Sequence, residues 1–288
     1  MKTNRQRLIM MSVQGKVAPP VKRSSYTVKH DGEAQILPGV GGITYNVKIG
    51  DPAMDWVGDH VEPGVSSNID SDKSATKNNA YNILACIGNQ ARMISGEAEG
   101  EEGFVTGKHG GIEHVLLYFD DQALEEMAIG DKILIKAIGQ GLAIEELPEV
   151  KVMNLDPDLL DKMKLRIEDG QLQVPVRAIV PPELMGSGLG AYTAQRGDYD
   201  ITTADQGTLK KHGLDQLAFG DLVALKDADN SYGRCYREGA ISIGIVVHSN
   251  CILAGHGPGV TTIFSSPEGR ITPIINSEAN LTNYLEID

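Results

Sequence analysis

The chain of 288 residues is long enough for one large or two ordinary domains, and its 41% hydrophobic and 23% charged residues are typical of a globular protein rather than a disordered one. A formal net charge of −13 disfavours nucleic acids and anionic membranes as partners, because both repel a negatively charged surface. Three widely separated cysteines, no apolar run near the ~18 residues of a membrane span and a start without a signal-peptide core favour a cytoplasmic protein.

Glycine is the most informative residue type in the composition. The chain has 33 glycines, a share well above the usual roughly 7%, and such an excess indicates many tight turns between short strands. We therefore predict a mainly β protein (β-rich α+β) with short strands in barrel-like units and few short helices. Residues 1–140 are assigned to a β-rich N-terminal domain with a long polar loop over residues 50–79. Residues 141–288 are assigned to a β-rich C-terminal domain with short helices and a core strand over residues 241–247.

The N-terminal half shows short strand patterns around one long loop. Apolar and polar residues alternate over residues 43–49, which predicts a half-buried strand. Residues 50–79 have little periodicity and several aspartates, so we predict an unusually long polar loop. Strands are predicted to resume at residues 83–86, 92–94 and 114–119.

The centre of the chain contains the clearest helix and hairpin signals. Residues 157–163 form a short amphipathic pattern that begins with proline, and Asp156 is placed to cap it. Residues 165–167 and 172–180 are separated by a D-G turn, which predicts a hairpin.

One internal repeat relates the two halves. Residues 124–136 match residues 214–226 without gaps, and both predict a helical turn, a G-D turn and an outgoing strand. Turn chemistry alone produces such G-D sequences in β-rich proteins. Two related barrel units are the alternative interpretation.

The polar loop contains the first candidate site. Carboxylate oxygens and neutral imidazole nitrogens bind divalent cations, although the spacing here fits neither an EF-hand nor H-E-x-x-H. Aspartates in a polar loop also cap nearby backbone N–H groups, and that interpretation stays open. The loop carries Asp51, Asp55, Asp59, His60 and Glu62. We select Asp59 and His60 as metal ligands, together with His114 from the second candidate.

That second candidate is the segment GKHGGIEH. In a continuous strand, His109 and Glu113 share one face and His114 lies on the other. The three converge only if the Gly110-Gly111 pair breaks the strand, which glycines do readily. We assign His109 and Glu113 as catalytic residues, with an ordinary glycine turn as the alternative.

The third candidate follows the strongest strand signal, residues 241–247. His248 and His256 lie between this strand and a second β-branched run over residues 260–264, and we assign both as catalytic. Cys251 between them is either a nucleophile or a buried, inert thiol.

The glycine turn GHGPG gives this third candidate a ligand-binding role. Successive backbone N–H groups at Gly255, Gly257 and Gly259 are expected to bind an anionic cofactor or substrate group, with Arg234 as the complementary cation. The turn is followed by a strand rather than by the helix of a dinucleotide-binding or P-loop motif.

Several segments resemble a known family. They are GGITYNVKIGDPAMDWVGDHVEPGVS, ACIGNQARMISGEAEGEEGFVTGKHGG, VMNLDPDLLDKM and VHSNCILAGHGPGVTTIFSS. Together they resemble the bacterial family named domain of unknown function four-four-three-eight, over most of the chain. The resemblance implies a β-rich architecture that includes an SH3-like barrel, and it brings no established activity or catalytic residues.

A second resemblance is to the acetamidase/formamidase enzymes, which are β-rich metal-dependent hydrolases of small amides. It depends on the GKHGG run and the two G-D-strand units. That family's run continues with Asn and Asp, whereas Ile112, Glu113 and His114 follow here.

These patterns predict a hydrolase of a small polar substrate that acts on a C–N bond with a divalent metal as cofactor. The expected partners are a small-molecule ligand and further copies of the chain in a homo-oligomer. The alternatives are a non-catalytic small-molecule or anion-binding or regulatory module, and a structural homo-oligomer.

Overall fold

A computed structural model of the protein describes residues 1–22, 24–69, 76–186 and 193–287. Over these residues the strands are β1 (Met11–Val17), β2 (Thr27–Val28), β3 (Ala34–Gln35), β4 (Ile43–Thr44), β5 (Gly64–Asn68), β6 (Gln90–Met93), β7 (Glu102–His109), β8 (His114–Tyr118), β9 (Lys132–Ala137), β10 (Lys151–Val152), β11 (Arg166–Glu168), β12 (Gln171–Val176), β13 (Ala178–Val180), β14 (Tyr199–Asp200), β15 (Leu222–Asp229), β16 (Cys235–His248), β17 (Gly259–Ser266) and β18 (Ile271–Ile275). The α-helices of the same residues are α1 (Thr76–Leu84), α2 (Asp121–Glu126), α3 (Pro157–Lys162), α4 (Gln206–Lys211) and α5 (Leu281–Leu285). Short 3-10 helices cover Arg5–Arg7, Pro182–Leu184 and Leu214–Gln216.

Six strands close into an antiparallel barrel. Their order is β1-β9-β6-β7-β8-β5, and β5 pairs back onto β1, while β4 extends the sheet beside β5. On β9 the side chains of Ile133, Ile135 and Ala137 point inward and alternate with more exposed residues, as in a half-buried strand.

A second sheet carries the rest of the core. Its order is β10-β17-β16-β15-β13, with β14 paired to β17, and only the β13–β15 pair in it is parallel. Every residue of β17 is buried, and the sheet packs against β7 of the barrel through β16 and β17. Thr261 on β17 is hydrogen-bonded to the backbone of Lys108 on β7, which joins the two sheets. Smaller sheets are formed by β11-β12-β18 and by β2-β3.

The predicted β-rich fold with a barrel and few short helices is confirmed. The predicted helix is α3, and the Asp156 side chain accepts a hydrogen bond from the N–H of Asp158. The D-G hairpin is β11–β12, with Asp169 (φ 50°) and Gly170 (φ 71°) at its turn. The core strand 241–247 lies inside β16.

Two predictions from the N-terminal half are wrong. Residues 83 and 84 end α1 instead of starting a strand, and the strand expected over residues 43–49 is only the two-residue β4. The segment 50–79 is not a loop throughout, because it contains β5 and the start of α1. Residues 70–75 of this segment lie outside the described residues.

Two of the sequence predictions concern membrane crossing and the division into domains. Among the described residues, no helix combines the length and apolar character that a membrane crossing requires. The division of the chain at residue 140 stays a prediction.

Candidate metal centre

Four imidazoles lie together where the barrel meets the second sheet. The ring centroids of His109 and His248 are 4.3 Å apart, and the His60 ring lies 5.0 Å from His248 and 5.6 Å from His109. The His256 ring is 5.4 Å from that of His60. Histidines that are distant in the sequence therefore form one group, which we call the histidine cluster (His60, His109, His248 and His256).

Strand ends position two members of the cluster. His109 ends β7 and pairs with His114 at the start of β8, because the turn between them contains Gly111 with φ 74°. His248 ends β16 opposite Gly259, the first residue of β17. Strand ends next to glycine turns leave side chains free to point into the space between the two sheets.

His60 comes from a loop that is fixed to the second sheet. Its φ of 55° is in the left-handed region, which costs a non-glycine residue about 1–2 kcal/mol. Two hydrogen bonds hold the loop in place. The Val61 N–H donates to Ser249 Oγ (2.8 Å), and the Ser249 N–H donates to the Val61 carbonyl (2.9 Å). Backbone strain of this kind persists where the surroundings over-determine the conformation.

Three imidazoles have their Nδ1 atoms occupied by a separate partner. His109 Nδ1 donates to Glu62 Oε1 (2.5 Å), and His60 Nδ1 donates to Asp59 Oδ1 (3.1 Å). His248 Nδ1 donates to the carbonyl oxygen of Ser249 (2.9 Å). These bonds fix the ring orientation and direct each Nε2 toward the interior of the cluster, where His248 Nε2 meets Asp198 and His60 Nε2 meets His256.

Glu62 is the buried carboxylate that organises the inner wall of the cluster. It is fully buried and accepts hydrogen bonds from His109, from His114 Nδ1 (3.0 Å) and from the Gly41 N–H (2.8 Å), as well as from the Ser66 hydroxyl. Burial opposes its charge, but the electrostatic interactions and hydrogen bonds with His114 and His109 outweigh burial and hold the pKa of Glu62 well below its usual value. His114 therefore supports the cluster through Glu62.

Two aspartates complete the site, Asp200 in β14 and Asp198 directly before it. Asp198 Oδ2 lies 2.7 Å from His248 Nε2, and Asp198 Oδ1 accepts a hydrogen bond from the Gly110 N–H (2.6 Å). Asp200 Oδ1 is 3.7 Å from His248 Nε2, and its Oδ2 is 2.8 Å from His256 Nδ1 and 3.8 Å from His60 Nε2. Both carboxylates are buried and face the cluster.

The pKa values of His248 and His109 are shifted in opposite directions. Burial disfavours the charge on His248, but Asp198 and Asp200 outweigh burial and raise the pKa of His248 well above its usual value. Burial and then the charge of His248 lower the pKa of His109. In the metal-free protein His248 therefore holds a proton on Nε2, and a metal ion has to displace it.

Cys251 packs beside the cluster as a thiol. Burial, together with its bond to the Asp59 carboxylate, raises the pKa of Cys251 strongly. Burial opposes the charge of Asp59, yet bonds from His60 and Cys251 lower the pKa of Asp59 to about 2. The uncharged Cys251 thus donates to a carboxylate, and nothing in its surroundings activates it as a nucleophile.

Two glycines of the GHGPG turn bring the backbone close to the site. A Cβ added to Gly259 would overlap Asp198 Oδ2 and His248 Nε2, and one added to Gly257 would overlap the carbonyl oxygen of Ile201. Gly255 has φ 77° and open space around it. The anion-binding role predicted for Gly255, Gly257 and Gly259 stays a prediction.

Two predicted residues point to other partners. The Glu113 carboxylate lies 3.4 Å from Arg196, and Arg234 donates to the carbonyl oxygens of Met185 (2.7 Å) and Gly186. In the part of the chain that the structure describes, neither side chain forms a hydrogen bond or ion pair with the histidine cluster. The catalytic role of Glu113 and the binding role of Arg234 stay predictions.

The donor set fits a divalent transition metal. One ring nitrogen from each of His60, His109 and His248 lies within 4.8 Å of the other two, and the ligand atoms of Asp198, Asp200 and His248 are equally close together. Imidazole nitrogens with carboxylate oxygens suit Zn²⁺ and related ions. The Nδ1 partners Asp59, Glu62 and the Ser249 carbonyl supply the outer hydrogen bonds that such sites use.

Access to the cluster is from one side. The side chain of His256 is 34% exposed and that of His60 14%, whereas His248 and Glu62 are completely buried. A cavity of about 340 Å³ in this protein lies elsewhere, against Met1 and Glu146. The lining of that cavity includes Glu146, Arg166 and Glu168 but no histidine or cysteine, so the buried donor atoms of the cluster are the stronger candidate site.

Comparison with known proteins places the chain in a family. A model of the N-terminal part of domain of unknown function DUF4438 matches residues 26–161, and a model of its C-terminal part matches residues 162–285. The chain belongs to the DUF4438 family. The crystal structure of TM1086 is similar to this DUF4438 chain, with 48% sequence identity, a TM-score of 0.93 and coverage of 99% of both chains. No curated protein matches the chain. These comparisons do not show the likeness to acetamidase/formamidase enzymes.

Three carboxylates of this DUF4438 site were not selected from the sequence as functional residues. Glu62 was noted in the loop, and Asp198 and Asp200 were missed. The signal for the last two is the D-Y-D alternation, which puts both carboxylates on one face of a strand and the buried Tyr199 on the other.

Proposed function

We propose that this protein is a divalent-metal-dependent hydrolase of a small polar substrate with a C–N bond. The observation that supports the proposal is the group of His60, His109 and His248, whose Nδ1 atoms bond partners of their own and which each place one ring nitrogen within 4.8 Å of the other two. A bound divalent ion polarises a carbonyl group and lowers the pKa of water, which are the two requirements for amide hydrolysis at neutral pH.

The protein's own groups supply the proton transfers. The attacking water loses a proton to the polar groups of the cluster, among which Asp198 and Asp200 are the carboxylates beside the imidazole nitrogens. A bond forms between the water oxygen and the carbonyl carbon. The C–N bond then breaks, and the same proton passes to the leaving nitrogen. The products are a carboxylic acid and an amine, and no oxidant or reductant is needed.

A non-catalytic binding module is the second candidate, and the enclosure of the cluster favours it. Among the cluster imidazoles His256 and His60 are the most exposed and His109 and His248 are buried, and structural metal sites are closed whereas catalytic sites keep an open position. In this alternative the metal or a small ligand stabilises the fold or signals occupancy, without turnover.

Metal analysis followed by a small-amide hydrolysis screen tests the proposal. Protein purified without chelators is expected to contain a divalent metal and to hydrolyse at least one amide, and H109A is expected to lose both properties. H30A is the matched control, because His30 is exposed and distant from the cluster in the sequence. Metal without turnover in the screen would favour the binding module, and neither metal nor turnover would overturn the proposed function.

A further inference from the structure

We propose that the metal centre is dinuclear, with Asp200 as the carboxylate that bridges two divalent ions. This inference rests on the proposed metal-dependent function and adds a second ion to it. The ligand atoms separate into an inner set at the base of the cluster and an outer set at its opening, and Asp200 contributes one oxygen to each.

The inner set surrounds the Nε2 atom of His248. Asp198 Oδ2 is 2.7 Å and Asp200 Oδ1 3.7 Å from that nitrogen, and the His109 ring lies 4.3 Å from the His248 ring. Asp198 is held in this position because the Gly110 N–H occupies its other oxygen. Two imidazoles and two carboxylate oxygens form a four-ligand set for a tetrahedral ion.

The outer set lies at the accessible side of the cluster. His60 Nε2 is 3.4 Å from His256 Nδ1 and 3.8 Å from Asp200 Oδ2, and His256 Nδ1 is 2.8 Å from the same oxygen. Cys251 also has its sulfur within 4.8 Å of ligand nitrogens of His60 and His256. Water or substrate would reach an ion held by this set, since His256 is the most exposed member of the cluster.

Asp200 lies between the two sets. Its Oδ1 faces His248 and its Oδ2 faces His60 and His256. A carboxylate with its two oxygens directed at different imidazole groups is the geometry that holds two ions about 3.5–4 Å apart in hydrolytic two-metal sites.

The charge of the region also favours two ions. Four carboxylates contact the cluster imidazoles, namely Asp59, Glu62, Asp198 and Asp200. In the described part of the chain, Asp59, Glu62 and Asp198 form their ion pairs with histidines. Two divalent cations balance four carboxylates with all the imidazoles neutral, and buried charges require such pairing.

Metal stoichiometry tests the inference. The full-length protein, loaded with Zn²⁺ and freed of excess by gel filtration, is expected to contain two equivalents, and H256A one equivalent because only the outer set is broken. D205N is the matched control and should keep two equivalents, because Asp205 caps α4 at an exposed position. Thermal unfolding of each variant verifies that it folds.

A spectroscopic measurement tests the bridge itself. With Mn²⁺ as the probe, wild-type protein is expected to give the spin-coupled electron paramagnetic resonance signal of two neighbouring ions. D200N is expected to give only uncoupled signals or a single ion. One equivalent of metal in the wild type would overturn the dinuclear centre and leave the proposed hydrolase intact, whereas no bound metal would overturn both. Two equivalents without spin coupling would overturn the bridging role of Asp200.

Discussion

Gly259 on β17 pairs with His248 on the neighbouring strand β16. Because glycine has no side chain, Asp198 Oδ2 and His248 Nε2 have room to approach β17. Its backbone is in an ordinary conformation, so the requirement for glycine here is one of space alone. The close approach of strand and carboxylate is thus part of how the site is built.

We predict that G259A weakens Zn²⁺ binding by about 10–100-fold, the range for changes that displace the groups around metal ligands. The added Cβ displaces Asp198 or His248. Competition with a chromogenic chelator measures the affinity. G207A is the control. Gly207 lies in α4, and a Cβ added there would have its nearest neighbour at 3.3 Å, so this substitution should leave the affinity unchanged. Equal affinities for G259A and wild type would show that the contact does not matter.

Lys108 provides a pH-dependent contribution to stability. Its ammonium is completely buried and donates to Asn154 Oδ1 (2.7 Å) and the Gln195 carbonyl (2.8 Å), and burial lowers the pKa of Lys108 from 10.5 to about 8. Between these pH values the unfolded chain binds a proton that the folded chain has lost. Folding stability from this residue therefore rises as pH increases through that window.

The test compares wild type with K108M from pH 7 to pH 10. Above pH 8 the free energy of unfolding of the wild type is expected to increase relative to that of K108M by up to about 1.4 kcal/mol per pH unit. Below pH 8 the free energies of the two proteins are expected to change in parallel with pH. K132M, at an exposed position on β9, should show no such divergence. Denaturant unfolding curves give the free energies, and parallel behaviour of wild type and K108M over the whole range would contradict the assignment.

The imidazoles of the site are easier to identify from the sequence than its carboxylates. Histidines are few, so His60, His109, His248 and His256 each attracted attention, whereas Asp198 and Asp200 are two among 39 acidic residues. Acidic side chains are mostly solvated, and only the fold shows that these two are buried.

Strand β5 could not be predicted from the apolar pattern of its own residues. Its sequence GVSSN has little apolar character, yet every residue is buried. Ser66 donates to Glu62, and Ser67 is bonded to the hydroxyl of Tyr81 (2.8 Å) and donates to the carbonyl of Val115 (2.9 Å). Buried hydroxyls are tolerated because their partners are in place, and no local pattern reports such distant partners.

Helix α1 was missed for a related reason. Asparagine is a weak helix former, which made the segment TKNNAYNIL unconvincing as a helix. The amides of Asn78 and Asn82 donate to the carbonyl oxygen of Glu113, and Tyr81 is completely buried. Tertiary contacts therefore outweigh the intrinsic preference. In contrast α3 and the β11–β12 hairpin were predictable, because a cap and a D-G turn are local signals.

The internal repeat is visible in the hydrogen bonds of its two G-D turns. Asp131 Oδ2 accepts from the Ala128 N–H at 2.8 Å, and Asp221 Oδ2 accepts from the Ala218 N–H at 2.8 Å. The turns differ in their surroundings, since Asp221 also binds the Asn280 side chain. Whether the repeat reflects two related barrel units stays a prediction.

We predict that G220A destabilises the protein more than G130A. Both glycines have positive φ, 87° and 95°, so alanine costs each about 1–2 kcal/mol. At Gly220 the added Cβ also meets Asn280 and Ile49 at 2.9 Å, whereas Gly130 has open space within 4 Å, and overpacking adds about 1–3 kcal/mol. Urea unfolding measures the difference, and equal losses would contradict it.

On the scale of the whole molecule, the cluster joins two sheets that are built from different parts of the chain. His60 and His109 belong to the barrel side, and Asp200, His248 and His256 to the second-sheet side. An ion bound here connects the sheets, and it binds the folded chain alone because the unfolded chain lacks the arrangement.

Metal removal is therefore expected to lower the melting temperature of the protein. Zn²⁺ at 100 times its dissociation constant contributes about 2.7 kcal/mol to the folded state. Scanning calorimetry with and without a chelator measures the change. H248A, which lacks a central ligand, should show no difference between the two conditions. A wild-type melting temperature that is independent of Zn²⁺ would exclude a stabilising ion at this site.

The same division of ligands has a consequence for biogenesis. As the chain leaves the ribosome, the strands of the barrel emerge first, and His60 and His109 then border a gap that later residues have yet to fill. Asp198, Asp200 and His248 are synthesised much later, so a stable centre cannot assemble on the nascent barrel. We therefore expect ion uptake to be a late step of maturation, after the second sheet has docked, and a cell starved of metal to accumulate a folded, unloaded precursor.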